Sequence, residues 1–144
     1  MKRILVITAA LLLASCAGMR DKMPSWMPGS GAMKVSLSPA EEVPPASKSS
    51  AKGSGSFRVA EDGTISGSVT TEGMTGTMAH IHQAAKGQNG PVIVPLTKTG
   101  DTYSVPEGRK LTPAQMDALK AGNLYVNVHS DQYKGGEVRA QLQP

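Results

Sequence analysis

The 144-residue chain has one cysteine, one tryptophan, one phenylalanine and three tyrosines. A single cysteine excludes an internal disulfide, a multi-thiolate zinc site and a paired-cysteine redox centre. The apolar run Ile4 to Leu13 is too short to span a bilayer as a stable helix. Charge of one sign is scarce as well: 15 Lys and Arg stand against 11 Asp and Glu. No basic patch points to a nucleic-acid partner. Imidazole is equally rare, and here the scarcity informs. The three histidines, His80, His82 and His129, all fall in two strand-like words, Ala79-His80-Ile81-His82 and Val126-Asn127-Val128-His129.

The N-terminus reads as a targeting segment. Lys2 and Arg3 precede the apolar run, which ends in Leu13-Ala14-Ser15-Cys16. That ending looks like a bacterial lipobox, so residues 1–15 are expected to be a signal peptide and Cys16 the lipidated residue. Ala17 stands where an Asp would suggest retention in the inner membrane. The expected location is therefore the outer membrane of the cell envelope, facing the periplasm, with the lipid on Cys16 making the membrane a partner. Cleavage removes Lys2 and Arg3 from the 15 basic residues, leaving 13 against 11 acidic ones, close to neutral. Residues 16–32 read as a flexible tether in which Met19, Met23 and Met27 alternate with Pro24, Pro28, Gly29 and Gly31. Its thioethers suit Cu(I).

Residues 33–144 supply enough chain for one modest core. They read as short strands: Lys34 to Ser38, Ser56 to Ala60, Thr64 to Thr70, Met78 to Gln83, Val92 to Leu96, Thr102 to Val105, Leu124 to His129 and Glu137 to Leu142. Residues 40–52 read as a loop, and Asp62-Gly63 marks a hairpin. Thr112-Pro113-Ala114-Gln115 carries the marks of a helix start, and Gly122 those of its stop. The expected architecture is an all-β antiparallel sandwich with one short helix.

Strand parity then separates the histidines from the core. Side chains alternate across a strand, so His80 and His82 share a face opposite Ala79 and Ile81. Tyr125, Asn127 and His129 oppose Leu124, Val126 and Val128 in the same way, and Glu137 and Arg139 oppose Val138 and Ala140. The histidines are thus expected on the outward, polar side. The same alternation sets Ser130 on the other face from His129, which argues against a nucleophile–base pair.

Several of these words resemble the CHRD (chordin-type) domain family. They are Glu42-Val43-Pro44-Pro45, Ala79-His80-Ile81-His82 with Gly87-Gln88-Asn89-Gly90-Pro91-Val92, and Tyr125-Val126-Asn127-Val128-His129 with Gly136-Glu137-Val138-Arg139. Ala140 stands where the family usually has Gly. The resemblance implies an immunoglobulin-like or Cu/Zn superoxide dismutase-like sandwich, and it leaves activity open.

Three functions fit the residues. In the first, His80, His82 and His129 bind one transition metal, copper ahead of zinc, leaving an open position for water or a fourth ligand. Asp131 is then the nearest candidate carboxylate, Asn127 or Glu137 orients an imidazole, and the Gly87 to Gly90 loop folds over the site. In the second, the domain is a non-catalytic structural or protein-interaction module without metal, its protein partner unknown. Its histidines then bond to loop carbonyls, and Glu137 and Arg139 form a surface pair of little energetic value. In the third, it is a copper-dependent superoxide dismutase-like enzyme with Arg139 steering an anion. The histidines and aspartate of a zinc subsite are missing from that pattern.

Overall fold

The computed structural model describes residues 31–144. The expected signal peptide, the expected lipidation site Cys16 and nearly all of the expected tether lie outside the described residues. Among the described residues the strands are β1 (Met33–Leu37), β2 (Lys52–Val59), β3 (Ile65–Glu72), β4 (Gly76–Gln83), β5 (Val92–Pro95), β6 (Thr97–Thr99), β7 (Thr102–Ser104), β8 (Leu124–Ser130) and β9 (Val138–Leu142), with one α-helix, α1 (Pro113–Lys120), and a short 3-10 turn at Pro39–Glu41. They form two antiparallel sheets, β1-β2-β3-β7-β6 and β5-β4-β8-β9. The all-β sandwich with a short helix is the architecture observed.

Alternation builds the core. Val35, Leu37, Phe57, Val59, Ile65 and Val69 of the first sheet are buried with Ala79, Ile81, Val94, Leu124, Val126, Val128, Val138, Ala140 and Leu142 of the second. Helix α1 starts as its sequence predicts: the Thr112 side chain accepts from the Gln115 N–H while the Gln115 side chain accepts from the Thr112 N–H. Leu119 is its buried residue.

Two elements depart from the sequence reading. Strand β2 begins at Lys52, several residues before the expected Ser56. Glycine and serine there have weak strand propensity, and pairing with both β1 and β3 overrides it. Gly55 shows why a small residue stands there, since a Cβ would strike the backbone of Ser68 and Val69. Strand β6 was not expected, because its three exposed residues Thr97–Thr99 carry no apolar alternation.

The larger difference concerns the outer face of the second sheet. Every residue of β8 is buried, those opposite the core included. Loops 38–51, 84–91 and 131–137 cover that face. They are bonded to one another by Asn89 Nδ2 to Val43 O at 2.7 Å, Ser49 Oγ to Glu137 Oε1 at 2.6 Å, and a Lys86–Glu41 ion pair at 3.1 Å. Gln141 fastens the far end, donating to Ala84 O at 2.9 Å and Gly122 O at 2.7 Å. The molecule therefore has a second, polar interior on the side where parity sends the histidines.

Candidate metal centre

The register of β4 against β8 assembles the site. Met78 pairs with His129, His80 with Asn127 and His82 with Tyr125. This brings all three histidines onto one face of two neighbouring strands. One ring nitrogen from each lies within 4.8 Å of the others, and the cluster contains no carboxylate. Two nitrogens bound to one metal at about 2.0 Å stand roughly 3.3 Å apart. His80 Nδ1 and His129 Nε2 are already 3.1 Å apart.

The hydrogen bonds define the tautomers. Carbonyl oxygens only accept, so His82 donates from Nδ1 to Gly90 O at 2.9 Å and His129 from Nδ1 to Lys134 O at 2.9 Å. In the neutral rings each Nε2 then carries a lone pair. Without a metal His80 Nδ1 donates to the Nε2 of His129; for His80 Nδ1 to serve as a ligand atom, its ring would carry the proton on Nε2 instead. In the neutral ring the Nε2 of His82 and the Oδ1 of the adjacent Asn127 are both buried acceptors with no donor between them, and a proton on that Nε2 would let His82 donate to Asn127. Buried acceptors without a donor carry a desolvation cost that a bound cation removes. The donor set thus fits a metal: three neutral imidazoles, two of them oriented through the ring nitrogen that faces away from the cluster.

Electrostatics points the same way. Burial holds all three imidazoles below their ordinary pKa of 6.5. The neighbouring rings add to the effect at His80 and His129, while the bonds to Gly90 and Lys134 oppose it at His82 and His129. Neutral imidazole is the form a metal takes.

A stacked column supports His82. Its ring lies 4.7 Å from that of Tyr125 at an interplanar angle of 3°, and the Arg139 guanidinium carbon sits 3.4 Å above the centre of Tyr125 on the other side. Arg139 is 1% exposed and donates to Asn89 Oδ1 at 3.2 Å and Gln88 O at 2.8 Å. The Gly90 N–H donates to the Tyr125 hydroxyl at 3.3 Å. The Gly87 to Gly90 loop therefore folds over the site, as the sequence suggests. Most of the outward face is covered, and Arg139 and Glu137 do not form a surface pair: both are buried, with Glu137 accepting from Ser49. Asn127 lies on β8 opposite His80 and beside His82. Asp131 is exposed on the 131–137 loop and stands outside the nitrogen cluster.

Glu42 belongs to this region, although its sequence word suggests no site role. It is 3% exposed, with Asn127 and the Arg139 charge as neighbours. Burial pushes its carboxyl from 4.5 up to about 7, against the lowering influence of Arg139, Asn127 and the Val43 backbone. Between these values the folded chain holds a proton that the unfolded chain has lost. The resulting stability is complete below pH 4.5 and is lost as pH rises through about 7. Glu42→Gln removes that loss. In urea unfolding of the metal-free protein the variant should be more stable than wild type by about 1–3 kcal/mol at pH 8, the difference disappearing near pH 4.5. An equal difference at both pH values would contradict a buried, raised carboxyl.

Gly90 tests the covering loop. A Cβ there would collide with the Gln83 carbonyl and crowd the Ala84 side chain. Gly90→Ala must shift the carbonyl that orients His82, so the affinity of any metal the cluster holds should fall about 10–100-fold in a calorimetric titration. Unchanged affinity would show that the carbonyl does not position the ring.

The profile of the CHRD domain family matches residues 33–142. No curated protein and no solved structure shows a significant match to the chain.

Proposed function

The chain belongs to the CHRD domain family, and from that premise we propose that it is a metal-binding domain that holds one copper ion, with zinc as the lesser competitor, on His80, His82 and His129. The observation that carries this reading is the convergence of three ring nitrogens, with the buried Nε2 of His82 lacking any other partner. Copper is favoured because three neutral imidazoles suit it and the expected exported compartment is oxidising. A bound copper ion would supply a redox-active, Lewis-acidic centre. The protein's own contribution is to fix the tautomers through Gly90 and Lys134, hold His82 against Tyr125, and keep water from one side of the cluster. In the cell we place the domain on the envelope, tethered through lipidated Cys16 to the outer membrane.

The non-catalytic module without metal has one observation in its favour: His82 and His129 do bond to loop carbonyls and pin the loops. Those bonds use only Nδ1 and leave the buried Nε2 of His82 without a partner. The superoxide dismutase-like reading is weakened at Arg139, which is buried, bonded to a loop and unable to guide an anion from the surface. Loading the full chain with Cu(II) or Zn(II), followed by dialysis and elemental analysis, tests the proposal. One tightly held equivalent supports it, and no retained metal overturns it.

A further inference from the structure

The histidine cluster leaves one side unaccounted for. Its nitrogens come with no carboxylate, and His80 is its most exposed member. The residue next to that side is a methionine. Met78 pairs across the strands with His129, and the ladder runs unbroken from Met78 to His80. Two residues apart on a strand, Met78 and His80 share a face, so Met78 projects on the histidine side. Directly opposed residues have Cβ atoms about 5 Å apart, within reach of a side chain as long as methionine.

Backbone irregularity points to the same residue. The register shifts between Gly76, which pairs with Ser130, and Met78, which pairs with His129, so Thr77 and Met78 together oppose one residue. That is a β-bulge, a feature that re-aims side chains. Gly76 and Ala79 both face the core, and the bulge between them turns Thr77 and Met78 outward together. Thr77 Oγ donates to His129 O at 3.3 Å, which ties the bulge to the histidine strand.

Met78 also differs from the other methionines among the described residues. Met33, Met74 and Met116 pack against the core, whereas Met78 is 51% exposed. A single exposed apolar side chain is ordinary by itself. Its register opposite a histidine of an incomplete ligand set is not explained by packing.

We propose that Met78 is the fourth ligand of this site, its thioether completing a three-histidine, one-methionine set that selects Cu(I) over Zn(II). The assignment rests on the metal-site reading above and adds to it the residue that decides which metal is held. A thioether is a soft donor that suits Cu(I) and adds little for zinc. The imidazoles hold either metal, and Met78 separates them.

The test uses the full chain and three proteins: wild type, Met78→Leu and His129→Ala. Leucine keeps the apolar bulk and removes the sulfur, and at an exposed position it leaves folding intact, which thermal unfolding of the metal-free proteins checks. Cu(I) affinity is measured anaerobically by competition with a chromogenic Cu(I) chelator, and Zn(II) affinity by a zinc indicator. The expected result is that Met78→Leu weakens Cu(I) about tenfold or more and leaves Zn(II) within about twofold. X-ray absorption of the Cu(I) form should show a sulfur contribution that is reduced in this variant; the tether methionines are the same in all three proteins and form a constant background. If Met78→Leu binds Cu(I) like wild type while His129→Ala does not, the ligand role of Met78 is overturned and the histidine site stands. Equal weakening of both metals overturns the selectivity. If His129→Ala also binds like wild type, the histidine site fails, and Met78 with it.

Discussion

Alanine in place of His82 or His129 should lower copper affinity by more than about a hundredfold, the equivalent of roughly 3 kcal/mol. Both rings offer Nε2 to the cluster and are held by an Nδ1 bond to a loop carbonyl. Each substitution therefore removes a proposed ligand whose orientation is already fixed in the folded chain. His80→Ala should cost less, since that ring is only half-buried and water can enter its place. Equilibrium competition against a chelator of known affinity measures all three. The carbonyl bonds are also lost in the first two variants, at about 1 kcal/mol of stability each, so metal-free unfolding is recorded in parallel. Three variants that bind as wild type does would leave the histidines as loop fasteners only.

Arg139→Met should destabilise the metal-free domain by about 2–4 kcal/mol, far beyond the 0–1 kcal/mol of an exposed ion pair. Methionine preserves much of the stem. It removes two hydrogen bonds to the 84–91 loop and the guanidinium stacked on Tyr125. It also removes the positive charge that offsets burial of Glu42, whose carboxyl then rises further above about 7 and stays protonated. Because Tyr125 carries His82 on its other face, metal affinity should fall together with stability. Urea unfolding of the wild type, Arg139→Met, Glu42→Gln and the double variant forms a cycle that isolates the Glu42–Arg139 coupling. A loss below about 0.5 kcal/mol would return Arg139 to the surface role that strand parity alone suggests.

Much of the architecture was legible because it is local. Alternation in Leu124-Tyr125-Val126-Asn127-Val128-His129 set one face toward a core, Asp62-Gly63 marked a hairpin, and Thr112-Pro113 with Gln115 marked the helix start. Strand β2 was only partly legible, since Gly53-Ser54-Gly55-Ser56 lacks strand propensity and is extended through its two neighbours. Glu42 was missed as a site residue. Its signal was an acidic residue beside prolines in a loop, and such residues are ordinarily solvated.

What the sequence by itself determined is which side of each strand the histidines occupy, because side-chain direction follows from a two-residue period and nothing else. Only the tertiary structure decided that this side is an interior. Loops 38–51, 84–91 and 131–137 close over it through contacts between residues far apart in the chain, such as Ser49 with Glu137, 88 residues away. The β4–β8 register is equally non-local: one sequence carries no record of which residue pairs with which, yet that pairing sets His129 opposite Met78 and His80 opposite Asn127. Periodicity assigns a face, whereas burial and register arise from long-range pairing, and these bring three scarce imidazoles to one point.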